Sequence, residues 1–223
     1  EIALLELANF QLHSGKIIAA KKTLLKALTI NKKHVPTQLK LIEVAIQQKE
    51  KDYTLRLITK FEMLTNNKVR SNQLKGDIYR VTDELKKAES FYQLSINIQP
   101  TQQSIIGLYH LYKQSNRNDE IIKLLNNWLQ EHPKDLIIGI AFAETHKNLG
   151  NIKFALGYYK KLIEHHPNNP ILLNNAAMTL LSLGHFQEAT ILANQAHLLM
   201  PYNVTIIDTK AWIETKKGNY KEA

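Results

Sequence analysis

Four prolines in the second half of the chain, Pro100, Pro133, Pro167 and Pro201, stand 33, 34 and 34 residues apart. Each interval carries two helical patterns, so the repeating element is a helix-turn-helix unit whose apolar face only a neighbouring unit can cover. Such a chain stacks into an array. Its function is then to be sought on a surface rather than in a catalytic pocket.

Fixing the register on those prolines turns other positions into columns. Five residues before each lie Ser95, Trp128, Leu162 and Ala196; twelve before lie Ala88, Ile121, Ala155 and Ala189; twenty-four before lie Gly76, Tyr109, Ala143 and Ala177. Seventeen before lie Asp83, Asn116, Gly150 and Gly184, turn formers placed where a first helix has to stop. Toward the N-terminus the proline column falls on Lys32 and Asn66. Ala8, Gly15, Ala20, Leu24 and Ala27 fit the first unit, whereas the unit ending near Asn66 fits poorly, with Ile42, Lys49 and Thr54 in its small-residue, turn and alanine columns. Downstream, Ala211, Gly218 and Ala223 open a further unit that the chain end cuts within its second helix. The expectation is a single array with repeats at about 1–34, 35–68, 69–101, 102–135, 136–169 and 170–203 and a partial seventh at 204–223. The chain reads as a piece of a longer protein, and any leader or anchor would lie outside this window.

A small residue, an aromatic, an alanine pair and a proline at these offsets resemble the tetratricopeptide repeat. The resemblance covers the whole chain. It is strongest in Leu136 to Asn203, where "FAETHKNLGNIKFALGYYKKLIEHHP" and "AAMTLLSLGHFQEATILANQAHLLMP" match nearly every column, and weakest in Val35 to Lys68. It implies an all-α fold, a right-handed superhelical solenoid of antiparallel helix pairs with six repeats and a truncated seventh. First helices would line a concave groove that receives a partner peptide, and second helices would form the convex back.

Carried over by register, the groove begins with Ile2, Leu5, Asn9 and Leu12, then Leu39, Glu43 and Ile46. Its middle holds Arg70, Gln73, Asp77 and Arg80, then Ile106, His110 and Lys113, then Ile140, Glu144 and Lys147. Asn174, Met178 and Leu181 follow, with Asp208 and Trp212 last. The groove is expected to be apolar at its ends and charged in its middle. Arg70, Arg80, Lys113 and Lys147 can grip an acidic peptide through charge-assisted hydrogen bonds. The alternative is that these charges, with Asp77 and Glu144 among them, solvate an exposed face and pair across repeats for at most about 1 kcal/mol each. The Lys and Asn set of the two-carboxylate clamp in chaperone-binding relatives is missing.

The repeat from Pro170 to Asn203 contains no Lys or Arg and one acidic residue, Glu188, in a chain with 29 basic and 20 acidic residues. With Met178, Leu181 and Trp212 it offers an apolar anchor for a partner helix or a second copy of the chain; the alternative is a repeat packed on both sides. The formal charge of +9 raises nucleic acid as a partner. Yet Lys21, Lys22, Lys26, Lys32, Lys33, Lys86, Lys87, Lys160 and Lys161 fall on the back or in loops, and Tyr79, Tyr92, Tyr112 and Tyr159 fall in packing columns. No unbroken basic track with stacking aromatics emerges, so no specific nucleic-acid partner is expected.

Eight glycines, six prolines and 44% apolar residues suit an all-helical chain. No stretch approaches the roughly 20 apolar residues of a spanning helix. Zero cysteines exclude disulfides and thiolate chemistry. No HExxH motif or phosphate-cradling glycine loop occurs, His132, His165 and His166 sit at helix ends, and His146 stands in an aromatic packing column, so neither an enzyme nor a cofactor is expected. The last segment, "IIDTKAWIETKKGNYKEA", resembles bacterial tetratricopeptide lipoproteins of exosortase and PEP-CTERM sorting systems, although Ala211 stands where that family often has glycine. That resemblance implies a periplasmic, lipid-anchored scaffold for exopolysaccharide-associated sorting or export, with the anchor outside this window. The alternatives are a cytoplasmic regulatory or chaperone-like adaptor and a self-assembling array.

Overall fold

A backbone turn in the left-handed region ends the first helix of each pair, and it falls on the turn column: Lys49, Asp83 and Asn116 have φ of 56°, 64° and 55°, and Gly15, Gly150, Gly184 and Gly218 share the conformation. The amide after it reaches back five residues, as from Glu50 to the Ala45 carbonyl (3.0 Å) and from Glu84 to Tyr79 (2.8 Å), which wraps and stops the helix. The computed structural model describes residues 1–218, among which there are thirteen α-helices and no strand. The pairs are α1 (Ile2–His13) with α2 (Ile17–Ile30), α3 (Val35–Gln47) with α4 (Lys51–Thr65), and α5 (Lys68–Val81) with α6 (Leu85–Ile98). Then come α7 (Gln102–Gln114), α8 (Asn118–Glu131), α9 (Leu136–Asn148) with α10 (Ile152–His165), α11 (Pro170–Ser182) with α12 (Phe186–Leu199), and α13 (Val204–Lys217). Ala223 and the expected start of a last second helix lie outside the described residues.

From α5 onward the first helices are started by side chains, whereas α1 and α3 carry no side-chain cap. Asn67, Thr101, Asp135, Asn169 and Asn203 each accept a hydrogen bond from the amide three residues on, satisfying a donor that the helix leaves orphaned. Second helices carry no such cap and follow directly from the left-handed turn. The poorly fitting second repeat has its own exit. Asn66, in the proline column, adopts φ 52° and closes α4, so α5 begins shortly after α4 ends.

The helices form two compact units, Glu1–Ser115 and Asn116–Ala223. In the first, small residues let helices approach: Ala8 and Ala20 pack with Leu24, Leu41 and Val44, and the next layer is Ile42, Ile58, Phe61, Leu74 and Ile78. First helices lie side by side, α5 touching α3 and α7, while each second helix packs between its own partner and the next first helix. Ion pairs join successive repeats at the starts of the second helices, Lys21 to Glu50 and Lys51 to Glu84 (2.7 Å). The second unit repeats the logic. Ala143 and Ala155 pack with Tyr159, Leu162, Leu172 and Ala176, and Ala177, Ala189 and Ala193 with Leu180, Leu181 and Ile213. The architecture is the all-α helix-pair array that the repeat register predicts.

Candidate partner-binding face

The polar centre of the first unit is organised by one ring. Tyr92 on α6 is fully buried between Gly76 of α5 and Gly107 of α7, and a Cβ on either glycine would lie 2.6 Å or 2.3 Å from its ring carbons. The glycines are therefore fixed by close approach, not by backbone conformation. The hydroxyl of Tyr92 donates to Asp77 Oδ1 (2.6 Å) and accepts from Arg80 Nε (3.3 Å). Burial lifts the Asp77 carboxyl above its usual range, against the opposing pull of the Tyr92 hydroxyl, Arg80 and Arg70. Burial and the neighbouring Asp77 charge likewise raise the Tyr92 hydroxyl.

Toward α3 the charges are matched. Arg70 donates to Gln73 Oε1 (3.3 Å) and pairs with Glu43 (3.4 Å), which also holds Lys40 (2.8 Å). Gln73 is only 4% exposed and its amide donates to Thr101 (2.5 Å) and Ser104 (2.9 Å), so it is a tie between α5 and α7 rather than an open groove position. A cleft of about 480 Å³ opens beside Arg70, with Val35, Leu39 and Phe61 in its wall.

Toward α7 the charges are unmatched. His110 is exposed, its ring lies 5.1 Å from that of Tyr109, and Lys113 stands 5.7 Å over the Tyr109 ring. Desolvation lowers the His110 pKa, and Arg80 and Lys113 push it in the same direction. Among the described residues neither Arg80 nor Lys113 has a carboxylate within ion-pair distance. Arg80, His110 and Lys113 thus form a basic corner with hydrogen-bonding capacity to spare.

In the second unit the expected positions divide differently. Glu144 on α9 accepts from Asn175 of α11 (3.1 Å), and Lys147 is half-buried nearby on α9. His146 occupies its aromatic column as expected, against Phe142 and Phe154 at 4.7 and 4.2 Å between ring centres, and desolvation lowers its pKa. Asn174 and Leu181 are interior, at 5% and 8% exposure, and Met178 is half-buried against the core. Trp212 alone of the apolar set stays 49% exposed, with Lys216 4.8 Å over its ring. The low-charge repeat therefore commits Leu181 to packing.

Sequence reasoning assigned Tyr92 to packing and missed its hydroxyl, which passes through to the first-helix side. The available signal was the glycine pair: Gly76 and Gly107 stand in successive first helices on either side of a large residue in the intervening second helix. No group of three or more His, Cys, Asp or Glu converges as a metal site among the described residues.

Similarity to known proteins agrees with this architecture. In the solved structure of yeast Tom70, 18% identical, the superposition covers 99% of this chain and 47% of that one with a TM-score of 0.81. A tetratricopeptide repeat protein from Parabacteroides merdae is 17% identical, with 94% and 82% of the chains covered and a TM-score of 0.64. YrrB, described as a TPR protein with an unusual peptide-binding site, is 16% identical over 84% and 97% of the chains, with a TM-score of 0.55. No curated protein sequence matches the chain. The sequence profile of the tetratricopeptide repeat matches residues 14–200, which spans most of both units, and with the recurrent helix pairs it establishes that this chain belongs to the tetratricopeptide repeat family.

Proposed function

We propose that this chain is a protein-binding scaffold that receives an acidic, extended segment of a partner on the first-helix face of its first unit, anchored by Arg80, His110 and Lys113. The observation that carries the reading is charge balance. Lys40 and Arg70 pair directly with Glu43, while among the described residues Arg80 and Lys113, further along the same face, have no carboxylate within ion-pair distance, Asp77 reaching Arg80 only through the Tyr92 hydroxyl. A partner carboxylate there gains charge-assisted hydrogen bonds without breaking an existing ion pair. The tetratricopeptide fold supports the interaction role, and YrrB's described peptide-binding site is that of a protein with the same architecture.

The test is fluorescence anisotropy with a labelled peptide rich in Glu and Leu. Arg80→Glu and Lys113→Glu are each expected to weaken binding roughly tenfold or more, because each replaces an attraction with a like-charge contact. Lys123→Glu, in the other unit, should change little. Equal binding by all variants would move the site elsewhere, and photo-crosslinking from position 80 that captures a second copy of the chain would favour self-assembly. The narrower role in exopolysaccharide-associated sorting or export rests on the resemblance of the last segment, and identification of the crosslinked partner tests it.

A further inference from the structure

The outer side of the second helices differs between the two units in a way that the peptide site does not explain. In the first unit, the outward columns of α2, α4 and α6 carry five cations, Lys22, Lys26, Arg56, Lys60 and Lys86, all exposed and none of them held in an ion pair among the described residues, and one carboxylate, Asp52. Beside them runs a register-matched apolar row, Ile30, Leu64 and Ile98, at 62%, 37% and 54% exposure, extended by Met63 at 75%. Lys32, Lys33 and Lys68 stand just beyond the ends of α2 and α4 and are also exposed or nearly so. The equivalent columns of α8 and α10 mix Lys123, Lys153, Lys160 and Lys161 with Asp119, Glu131 and Glu164, with Glu131 and His165 in place of the apolar row, while α12 exposes Ile191, Leu198 and Leu199 there but no cation.

We infer that the outer face of the first unit docks on an anionic lipid bilayer, the cations meeting headgroup phosphates while Ile30, Leu64, Ile98 and Met63 enter the headgroup and acyl boundary. Cations alone would suit any polyanion. Apolar side chains threaded between them suit a surface that is anionic outside and hydrocarbon beneath, which is how interfacial elements bind. A nucleic acid would gain nothing from Ile30 or Leu64, and no aromatic stands in these columns to stack on a base. No helix among the described residues is long and apolar enough to cross a membrane, so the contact is peripheral. It lies on second helices and so is independent of the peptide site on α5 and α7.

The experiment is co-sedimentation of the whole chain with phosphatidylcholine vesicles with and without about 30% phosphatidylglycerol, a composition chosen to give the charge of an anionic leaflet. Each basic side chain at such a surface raises partitioning roughly fivefold, so Lys26→Glu, Arg56→Glu and Lys60→Glu together should cut binding to the charged vesicles by about a hundredfold or more. Ile30→Ser, Leu64→Ser and Ile98→Ser should weaken it and make the remainder disappear in high salt, since the salt-resistant part is apolar. Lys123→Glu with Lys161→Glu, on the second unit, should leave binding within about twofold. Circular dichroism checks folding, and Lys26→Gln with Lys60→Gln serves if the charge reversals do not fold. Failure to sediment with charged vesicles overturns the inference, as does binding that neither set of variants alters. So does displacement by duplex RNA at equal charge with the serine variants still binding, which would assign the face to a polyanion instead.

Discussion

Adding one methyl group at position 107 tests whether Tyr92 is the joint of α5, α6 and α7. In Gly107→Ala the new Cβ would sit 2.3, 2.7 and 2.9 Å from three ring atoms, where ordinary carbon contacts need about 3.5 Å or more. The ring has no retreat. Gly76 leaves no slack on its other side, and the hydroxyl is tied to Asp77 at 2.6 Å. Overpacking of this kind costs about 1–3 kcal/mol, and displacing the hydroxyl from a carboxylate costs roughly 1.5–3 kcal/mol more. Against this stands a helix-propensity gain of about 1 kcal/mol for alanine over glycine. The net expectation is a loss of about 1.5–5 kcal/mol, confined to the first unit. Gly157→Ala, on α10 with no atom within 4 Å of its Cβ, isolates the propensity gain and should stabilise by up to about 1 kcal/mol. Tyr92→Ala should cost about 3–5 kcal/mol alone, but it vacates the space that the added methyl needs, so the double variant should be no worse than Tyr92→Ala. Because repeat arrays need not unfold in one step, the assay is hydrogen exchange read on peptides from α5 to α7, beside urea denaturation. The reasoning is refuted if Gly107→Ala holds its stability with Tyr92 present, or costs the same with Tyr92 removed.

Other outcomes follow from backbone and protons. Lys49 holds φ 56°, so Lys49→Gly should stabilise by about 1 kcal/mol. Gly184→Ala, at φ 79°, should destabilise by about the same amount, and urea midpoints of both variants decide. His110 is held below its ordinary value of 6.5 by partial desolvation and by Arg80 and Lys113. The unfolded chain therefore takes up that proton first, and stability should fall as pH drops below about 6.5. His110→Gln should flatten that part of the profile, measured by denaturation between about pH 7.5 and 5. An acidic peptide reverses the sign for binding: its carboxylate favours the imidazolium, so affinity should rise as pH falls through the same window in the parent and not in His110→Gln.

How much was legible depends on which interaction decided each element. The first-helix stops at Asp83, Gly150 and Gly184 were readable because a left-handed residue is a local demand that leaves a local trace. The caps at Asn67, Thr101, Asp135, Asn169 and Asn203 recur in the register of the repeat and are equally local, each needing only the amide three residues on. The repeat ending near Asn66 fits the columns poorly because Lys49 takes the left-handed turn that glycine or an Asx residue usually holds, and Ile42 and Thr54 are buried where a small residue and an alanine are usual. The site was harder. Register places Gln73 and Asn174 on the first-helix side, but whether a side chain is free or engaged with the next helix depends on its neighbour's residue, as the Thr101 and Ser104 hydroxyls show for Gln73. The passage of the Tyr92 hydroxyl to Asp77 needs three helices at once, and no single window of sequence contains them.

The Asn66 exit has a mechanical consequence. A stack of helix pairs under tension behaves as a spring whose compliance resides in its joints, and each joint softens with the number of backbone torsions free to turn. The link after α2 runs from Asn31 to His34, and that after α6 from Gln99 to Thr101, whereas α4 and α5 are joined by Asn66 and Asn67 alone. Asn66 sits in the narrow left-handed well, and Asn67 is tethered as the cap of α5, its side chain accepting from the Arg70 amide at 2.9 Å. Of the three links, the one between the second and third pairs therefore leaves the chain the fewest free torsions, and under tension it is the joint expected to yield least.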